Sequence, residues 1–238
     1  NPEFSIIIPT LDNFHDVQEI IPCINSQTLL PKEIVIVDSS FSNDIQDGLD
    51  TIKSSVPMTY LRVGRAYRFD RLLRYFFSFP LLSNYKYQFP PGRAFPYEAT
   101  NAGSKIAKYE WLAFLDATTF PVETWLEEYW KFINSHKCDV IFGRTKYLAT
   151  TGFQKLLRAS TYGALGHESA PGSIMKKVNF LNGYKIREGV RSGGDMAWRL
   201  KIKQSLKYYL PEKNYLRYSN LSLSLFPALK KFFIYQIY

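Results

Sequence analysis

The sequence predicts an α/β fold with a mostly parallel central sheet flanked by helices, and two observations predict it. Phe4 to Pro9 (FSIIIP) and Glu33 to Asp38 (EIVIVD) are continuous β-branched runs without polar alternation, as expected of strands buried on both faces. Between them, Phe14 to Gln27 carries Val17, Ile20, Ile21 and Ile24 at helical spacing, so the three segments form a strand-helix-strand unit.

The remaining elements follow in order. Pro9 ends the first strand, and Pro31 marks the return into the sheet. Met58 to Val63 reads as a third strand, a helix over Ala102 to Lys108 leads into a fourth at Trp111 to Asp116, and Val140 to Phe142 opens a fifth. A helix is predicted from Asp195 through Lys203, then a weak strand near Leu206 to Leu210. Gly64 to Glu98 breaks the rhythm as a long, basic, aromatic stretch, and Thr150 to Gly172, rich in Gly, Ser, Thr and Ala, is expected to be a mobile loop. The connections are short enough for right-handed crossovers. No Pro- or Gly-rich linker divides the chain, so one domain over about 1–210 is expected, followed by a C-terminal extension over 211–238.

With 46% hydrophobic residues in 238, the chain can bury a sizeable core, which excludes disorder for the bulk. Lys and Arg number 30 against 21 Asp and Glu, a formal charge of +9, which favours an anionic partner such as nucleotide phosphate or phospholipid. Nucleic acid is set aside because no docking motif accompanies the basic, aromatic middle. Two cysteines, Cys23 and Cys138, both expected in the core, exclude a disulfide framework or thiolate metal cluster and fit a reducing compartment. Apolar runs fall well short of the roughly 20 residues of a membrane span. A soluble or peripheral protein is expected.

Three polar stations stand at strand ends, where open parallel sheets bind ligands: Pro9-Thr10-Leu11-Asp12-Asn13, Asp38-Ser39-Ser40 and Asp116-Ala117-Thr118-Thr119. Each taken singly also suits a helix cap or turn. Together, SIIIPT, EIVIVDSS, NAGSKIAKYEWLAFLDATTFP and RSGGDMAWRLK resemble the family-2 glycosyltransferases with the glycosyltransferase-A fold, over most of residues 4–203.

That resemblance implies a glycosyltransferase-A type fold with a Rossmann-like N-terminal half, a nucleotide-binding half over about 1–120 and an acceptor half over about 121–210. It implies that Pro9, Thr10 and Asp12 line the nucleotide site, that Asp38 bonds the base, and that Asn101 shapes the cleft. Asp116 would face the ribose and diphosphate and hold the metal. Asp195, matching the Asp of the family's Gly-Glu-Asp, would be the general base of an inverting transfer. The family's Asp-x-Asp motif is degenerate here, reading Asp116-Ala117-Thr118. A neutral hydroxyl is a poor ligand for a hard cation, so a divalent cation, Mn or Mg, is expected to be weakly bound or dispensable. Ser39, Thr100 and Gly194 are further departures, standing where Asp, Arg and Glu are usual.

Arg62, Arg65, Arg68, Arg71 and Arg74 recur every third residue; they are either a solvated helix surface or a source of one or two phosphate ligands. Arg93, in PPGRAFP, is a separate nucleotide-sugar candidate on a loop. His167 is expected to be an exposed loop residue beside Glu168, and His15 and His136 surface helix residues. The tail Leu225 to Tyr238 mixes aromatics with Lys230 and Lys231, which suits a membrane interface, packing on the domain, or the cut end of a longer chain.

The expected function is therefore transfer of a sugar from a nucleotide-diphosphate donor, UDP first among them, to a hydroxyl of a glycan or lipid-linked acceptor. The location implied is cytoplasmic, peripheral at the inner face of the membrane. The alternative is a binding module of the same fold for a nucleotide or glycan.

Overall fold

The computed structural model of the chain describes residues 2–40, 42–64, 94–163, 165–190 and 192–236, with the side chains of 233–236 excepted. Among these, nine strands form one sheet: β1 (Phe4–Thr10), β2 (Glu33–Asp38), β3 (Met58–Arg62), β4 (Trp111–Phe114), β5 (Thr119–Pro121), β6 (Val140–Tyr147), β7 (His167–Lys176), β8 (Tyr208–Tyr209) and β9 (Leu216–Tyr218). They lie in the order β3-β2-β1-β4-β7-β6-β9-β5, with β8 beside β6. The β3-β2-β1-β4 half is wholly parallel. β7 then runs antiparallel to both β4 and β6, while β8 and β9 run parallel to β6.

The helices are α1 (Phe14–Asn25), α2 (Asp44–Gly48), α3 (Pro96–Ile106), α4 (Trp125–His136), α5 (Gly152–Thr161), α6 (Lys177–Leu181), α7 (Gly194–Ser205) and α8 (Leu225–Gln236). Strand periodicity divides the core into two layers. Ile6, Ile8, Ile34 and Ile36 face α1 and α4, whereas Ile7, Val35 and Val37 face α3 and the aromatic side chains of Phe180 and Trp198. This explains the unbroken apolar runs: both faces of β1 and β2 are covered.

Gly103 lets α3 lie directly on that second face. A Cβ there would stand 2.6 Å from Val37 Cγ2 and 2.9 Å from Ile7 Cγ2. The Asn-x-Gly segment is thus a packing device, and it fixes the depth of Asn101 two residues earlier.

Several expectations need correction. Thr150 to Gly172 is not a mobile loop. Thr151 and Gln154 form a reciprocal cap that starts α5, Gln154 Nε2 donates to Leu221 O at 2.9 Å, and His167 already lies in β7. In that stretch Gly166 and Gly172 serve close packing, since a Cβ on Gly166 would meet Asn214 Oδ1 at 2.0 Å and one on Gly172 would meet Leu216 Cδ1 at 2.2 Å. The helix expected over Ala102 to Lys108 begins earlier, with Pro96 in its first turn, and β4 stops at Phe114, two residues before Asp116. Cys23 is half-buried at the margin of α1, although Cys138 is buried. The C-terminal stretch supplies β9 to the sheet through pairing with β6 and β5. No helix among the described residues is long and apolar enough to cross a membrane.

Candidate functional site

The parallel register brings the first two polar stations together, setting Thr10 beside Asp38 and Asp38 beside Arg62. Asp38 is fully buried. Its Oδ1 accepts from Ser40 N at 2.7 Å, its Oδ2 accepts from the Tyr60 hydroxyl at 2.7 Å, and Arg62 stands 3.7 Å from Oδ2. Burial, followed by that hydrogen bond to Asp38, pushes the Tyr60 hydroxyl up to about 12, so it remains a donor. Arg62 also donates to the carbonyls of Ser40 and Ser42, each at 2.7 Å. In this arrangement Asp38 and Arg62 brace the loop after β2, and Ser39 is the member of the station that lines a cavity. Arg65, Arg68, Arg71, Arg74 and Arg93 lie outside the described residues.

Asp12 adopts a left-handed backbone, φ 50°, and its N–H donates to Ser40 Oγ at 2.7 Å, tying the first station to the second. Thr10 Oγ1 is buried and has no partner among the described residues. A buried hydroxyl in that state is a group that a ligand can satisfy.

The third station hangs from the end of β4. Leu115 N donates to Ile7 O, and Thr119 N closes a turn onto Asp116 O at 2.9 Å, so Asp116 projects where β1 ends. Asp116 is exposed to solvent in the cleft, with the walls of both cavities around it. That surrounding governs its proton affinity: burial first, then the charge of Asp195, raise it from 3.8 to about 6.

Asp195 occupies the first turn of α7, entered through Gly193 at φ 76°. Its Oδ1 accepts from the Tyr97 hydroxyl at 3.3 Å, and Arg199 approaches Oδ2 at 3.4 Å. Arg199 is itself held by Glu168 at 3.0 Å, and Glu168 also receives Lys203 at 2.6 Å. Gly194, the departure from the expected Glu, has a physical reason: a Cβ there would lie 2.6 Å from the Tyr97 ring. Tyr97 therefore occupies the space a side chain at 194 would need, and the same Tyr97 orients Asp195. Burial, followed by the Asp195 charge, keeps its hydroxyl protonated well beyond the ordinary phenol range.

Asn101 is buried and does not project into open space. Its Nδ2 donates to Ile186 O at 2.8 Å and Glu188 Oε1 at 3.0 Å, and its Oδ1 accepts from Ile186 N at 3.2 Å. It clamps the loop before α7, and Ile186 of that loop lines the cleft.

Two cavities meet at the third station. The smaller, about 210 Å³, is lined by Thr10, Asn13, Ser39 and Ala99 among others. The larger, about 640 Å³, contains Tyr97, Thr145, Ser169, Ile186 and Asp195. Pro9, Pro96, Asp116 and Thr118 belong to both. The strand-end stations thus converge on one side of a continuous space, with Asp195 on the other.

The far wall of the larger cavity was not visible in the sequence. Tyr147 and Tyr162 stack at 3.9 Å, His167 lies against both, and Tyr218 closes the group at 5.0 Å from Tyr147. His167 is therefore no exposed loop residue: it is half-buried in β7, and burial, then Arg199, lowers its proton affinity. These residues come from β6, the C-terminal cap of α5, β7 and β9, and no local spacing announces their meeting. His15 and His136 are exposed helix residues as expected.

The residues present fit a divalent cation only weakly. Asp116 offers one carboxylate and Thr118 a neutral hydroxyl, and among the described residues the one compact group of three metal-ligating side chains, His15, Asp16 and Glu19, lies on α1.

No protein-family model matches the chain, and no curated protein matches it in sequence. In structure it is similar to TarS of S. aureus. The 1–349 fragment in complex with UDP-GlcNAc superposes with a TM-score of 0.65 at 16% identity, covering 93% of this chain and 60% of that one. The same fragment in complex with UDP gives 0.65 at 16% identity over 91% and 60%. A longer TarS chain gives 0.65 at 17% identity over 91% of this chain and 36% of its own length. This chain therefore spans about 60% of the TarS 1–349 fragment. The likeness establishes the fold as glycosyltransferase-A type.

Proposed function

We propose that the protein moves a sugar from a nucleotide-diphosphate donor to a hydroxyl acceptor. The observation that carries this reading is the junction of the two cavities at Asp116, with Asp195 across the larger one. The nucleotide occupies the smaller cavity against Pro9, Thr10 and the loop braced by Asp12 and Asp38. The sugar crosses Asp116, and the acceptor enters beside Asp195. Arg93 remains a nucleotide-sugar ligand in this proposal, and Asn101 acts by holding the Ile186 loop.

Asp195 accepts the proton of the acceptor hydroxyl as that oxygen bonds to the anomeric carbon. The bond from that carbon to the diphosphate breaks, and the nucleoside diphosphate departs with the electron pair. One displacement inverts the anomeric centre. Tyr97 holds Asp195 in position, and removing a general base of this kind costs roughly 10²–10⁴-fold in rate. A divalent cation, Mn or Mg, would be held by Asp116 and Thr118, and when bound it supplies positive charge to the phosphates.

UDP is the expected nucleotide, supported by the complexes of TarS with UDP-GlcNAc and UDP. The acceptor is proposed to be a glycan or a lipid-linked sugar at the inner membrane surface. The outward face of α8, with Leu225 61% and Phe226 80% exposed on a chain of net charge +9, supports contact with anionic lipid.

The reading is tested by measuring nucleoside diphosphate released from a panel of nucleotide sugars, with and without Mn²⁺. Release is expected from the wild type, and Asp195→Asn should abolish it while still binding the nucleotide. Unchanged turnover in Asp195→Asn would remove it as the base. A second reading, a binding module without turnover, is supported by the engagement of both Asp38 oxygens and by Thr118. It predicts binding without release in the wild type itself.

A further inference from the structure

Transfer from a nucleotide diphosphate leaves growing negative charge on the phosphates, and positive groups at the site accelerate that departure. The side chains that meet in the two cavities are poorly matched to this need. Asp116 and Asp195 are both acidic, and Thr118 is neutral. Arg62, the nearest of the arginine series in sequence to the strand ends, is spent on Asp38 and the carbonyls after β2. Arg199 is held by Glu168 and Asp195.

One lysine is differently placed. Among the described residues that line the two cavities, Lys231 is the only lysine or arginine. It comes from α8, far in sequence from the strand-end stations, and it is partly buried. Its Nζ donates to the Tyr218 hydroxyl at 3.0 Å and lies 5.6 Å from that ring's centre. No carboxylate among the described residues forms an ion pair with it.

Tyr218 belongs to the aromatic wall beside Tyr147, and its hydroxyl donates to Asn220 O at 3.2 Å, leaving its oxygen free to accept from the lysine. The ammonium is thus held at the cavity wall by a neutral partner, with no carboxylate competing with an incoming anion among the described residues. Ala228, one turn earlier on the same face of α8, is buried and anchors the helix.

We propose that Lys231 is a phosphate-holding residue of the cleft and that α8 is a wall of the site. This inference rests on the transferase reading for its chemistry. The ligand group is a phosphate oxyanion, supplied either by the donor diphosphate or by a phosphate on the acceptor. The outward face of α8 remains available for other contacts, because Lys231 and Ala228 lie on the inward one.

The test uses calorimetric titration of the full chain in metal-free buffer. Uridine and UDP are titrated into wild type, Lys231→Gln, Lys231→Met and Lys231→Arg, and inorganic phosphate is titrated into each protein presaturated with UDP. Loss of a charge-assisted hydrogen bond should weaken the phosphate-bearing ligand by about tenfold or more. If UDP weakens in the Gln and Met variants while uridine does not, and Arg restores it, the donor is the source. If UDP is unaffected and inorganic phosphate weakens, the acceptor side is the source. Variants that bind UDP and phosphate as the wild type does overturn the proposal. A wild type that binds no UDP would sink the transferase reading, while phosphate titrated alone would still decide the role of Lys231. Two neutral replacements guard against a folding defect, each checked by an unchanged melting temperature.

Discussion

Replacing Asp195 by Asn should lower the proton affinity of Asp116 by a bounded amount. Burial is the larger cause of the rise from 3.8 to about 6, and the charge of Asp195 is the smaller. The neighbour's share is therefore the smaller part of that rise, and solvent in the cleft screens it further. In Asp195→Asn, Asp116 should titrate below its wild-type midpoint of about 6 but still above 3.8. Asn keeps an acceptor for the Tyr97 hydroxyl, so the geometry survives and only the charge is lost. The assay is a carboxyl carbon NMR titration of both proteins. A midpoint still at about 6 would mean that the two carboxylates do not share the cleft, and a fall to 3.8 would mean that burial contributes nothing. The same shift has a stability consequence with a fixed sign. A carboxyl raised in the folded state stabilises below its unfolded value of 3.8, and that contribution is lost as pH rises through about 6. Asp116→Asn should therefore melt higher than wild type above pH 6 relative to their difference near pH 4.

Gly103→Ala should destabilise the fold, because its new Cβ would press on Val37 and Ile7, two residues fixed in strands. Overpacking of this kind costs about 1–3 kcal/mol, and a chain of this size loses roughly 2–4 °C per kcal/mol, so an unchanged melting temperature would contradict the packing. Thr118→Asp should increase the dependence of nucleotide binding on Mn²⁺, measured by titration at several Mn²⁺ concentrations; equal dependence in both proteins would remove Thr118 from the cation site. Phe226→Ser should reduce partitioning onto anionic vesicles in a flotation assay without changing UDP affinity, and equal partitioning would assign the exposed face of α8 to something other than lipid.

The parallel half of the sheet was legible because burial on both faces writes itself into local composition, as in Ile6 to Ile8 and Ile34 to Val37. The strand-end stations were legible for the same reason, since each follows directly from a recognisable run. The antiparallel half was not. In β7, Ser169 and Ser173 bond to Thr145 and Gly143 of β6, and Gly172 lies against Leu216 of β9; small residues without those partners in view read as a loop. The role of Asp38 was only partly readable, because Tyr60 and Arg62 reach it through strand register rather than sequence proximity. The aromatic wall and Lys231 depend on β6, β7, β9 and α8 converging, and none of these spacings is local. Gly194 became intelligible only beside Tyr97, which fills its missing side chain's volume.

The most direct measurement is the affinity of UDP for wild type, Asp116→Asn and Asp195→Asn at one pH. A shared cleft with the nucleotide side at Asp116 and the acceptor side at Asp195 predicts binding to wild type, an altered affinity in Asp116→Asn and an unaltered one in Asp195→Asn. Equal affinity in all three proteins, or no binding to any, would contradict it.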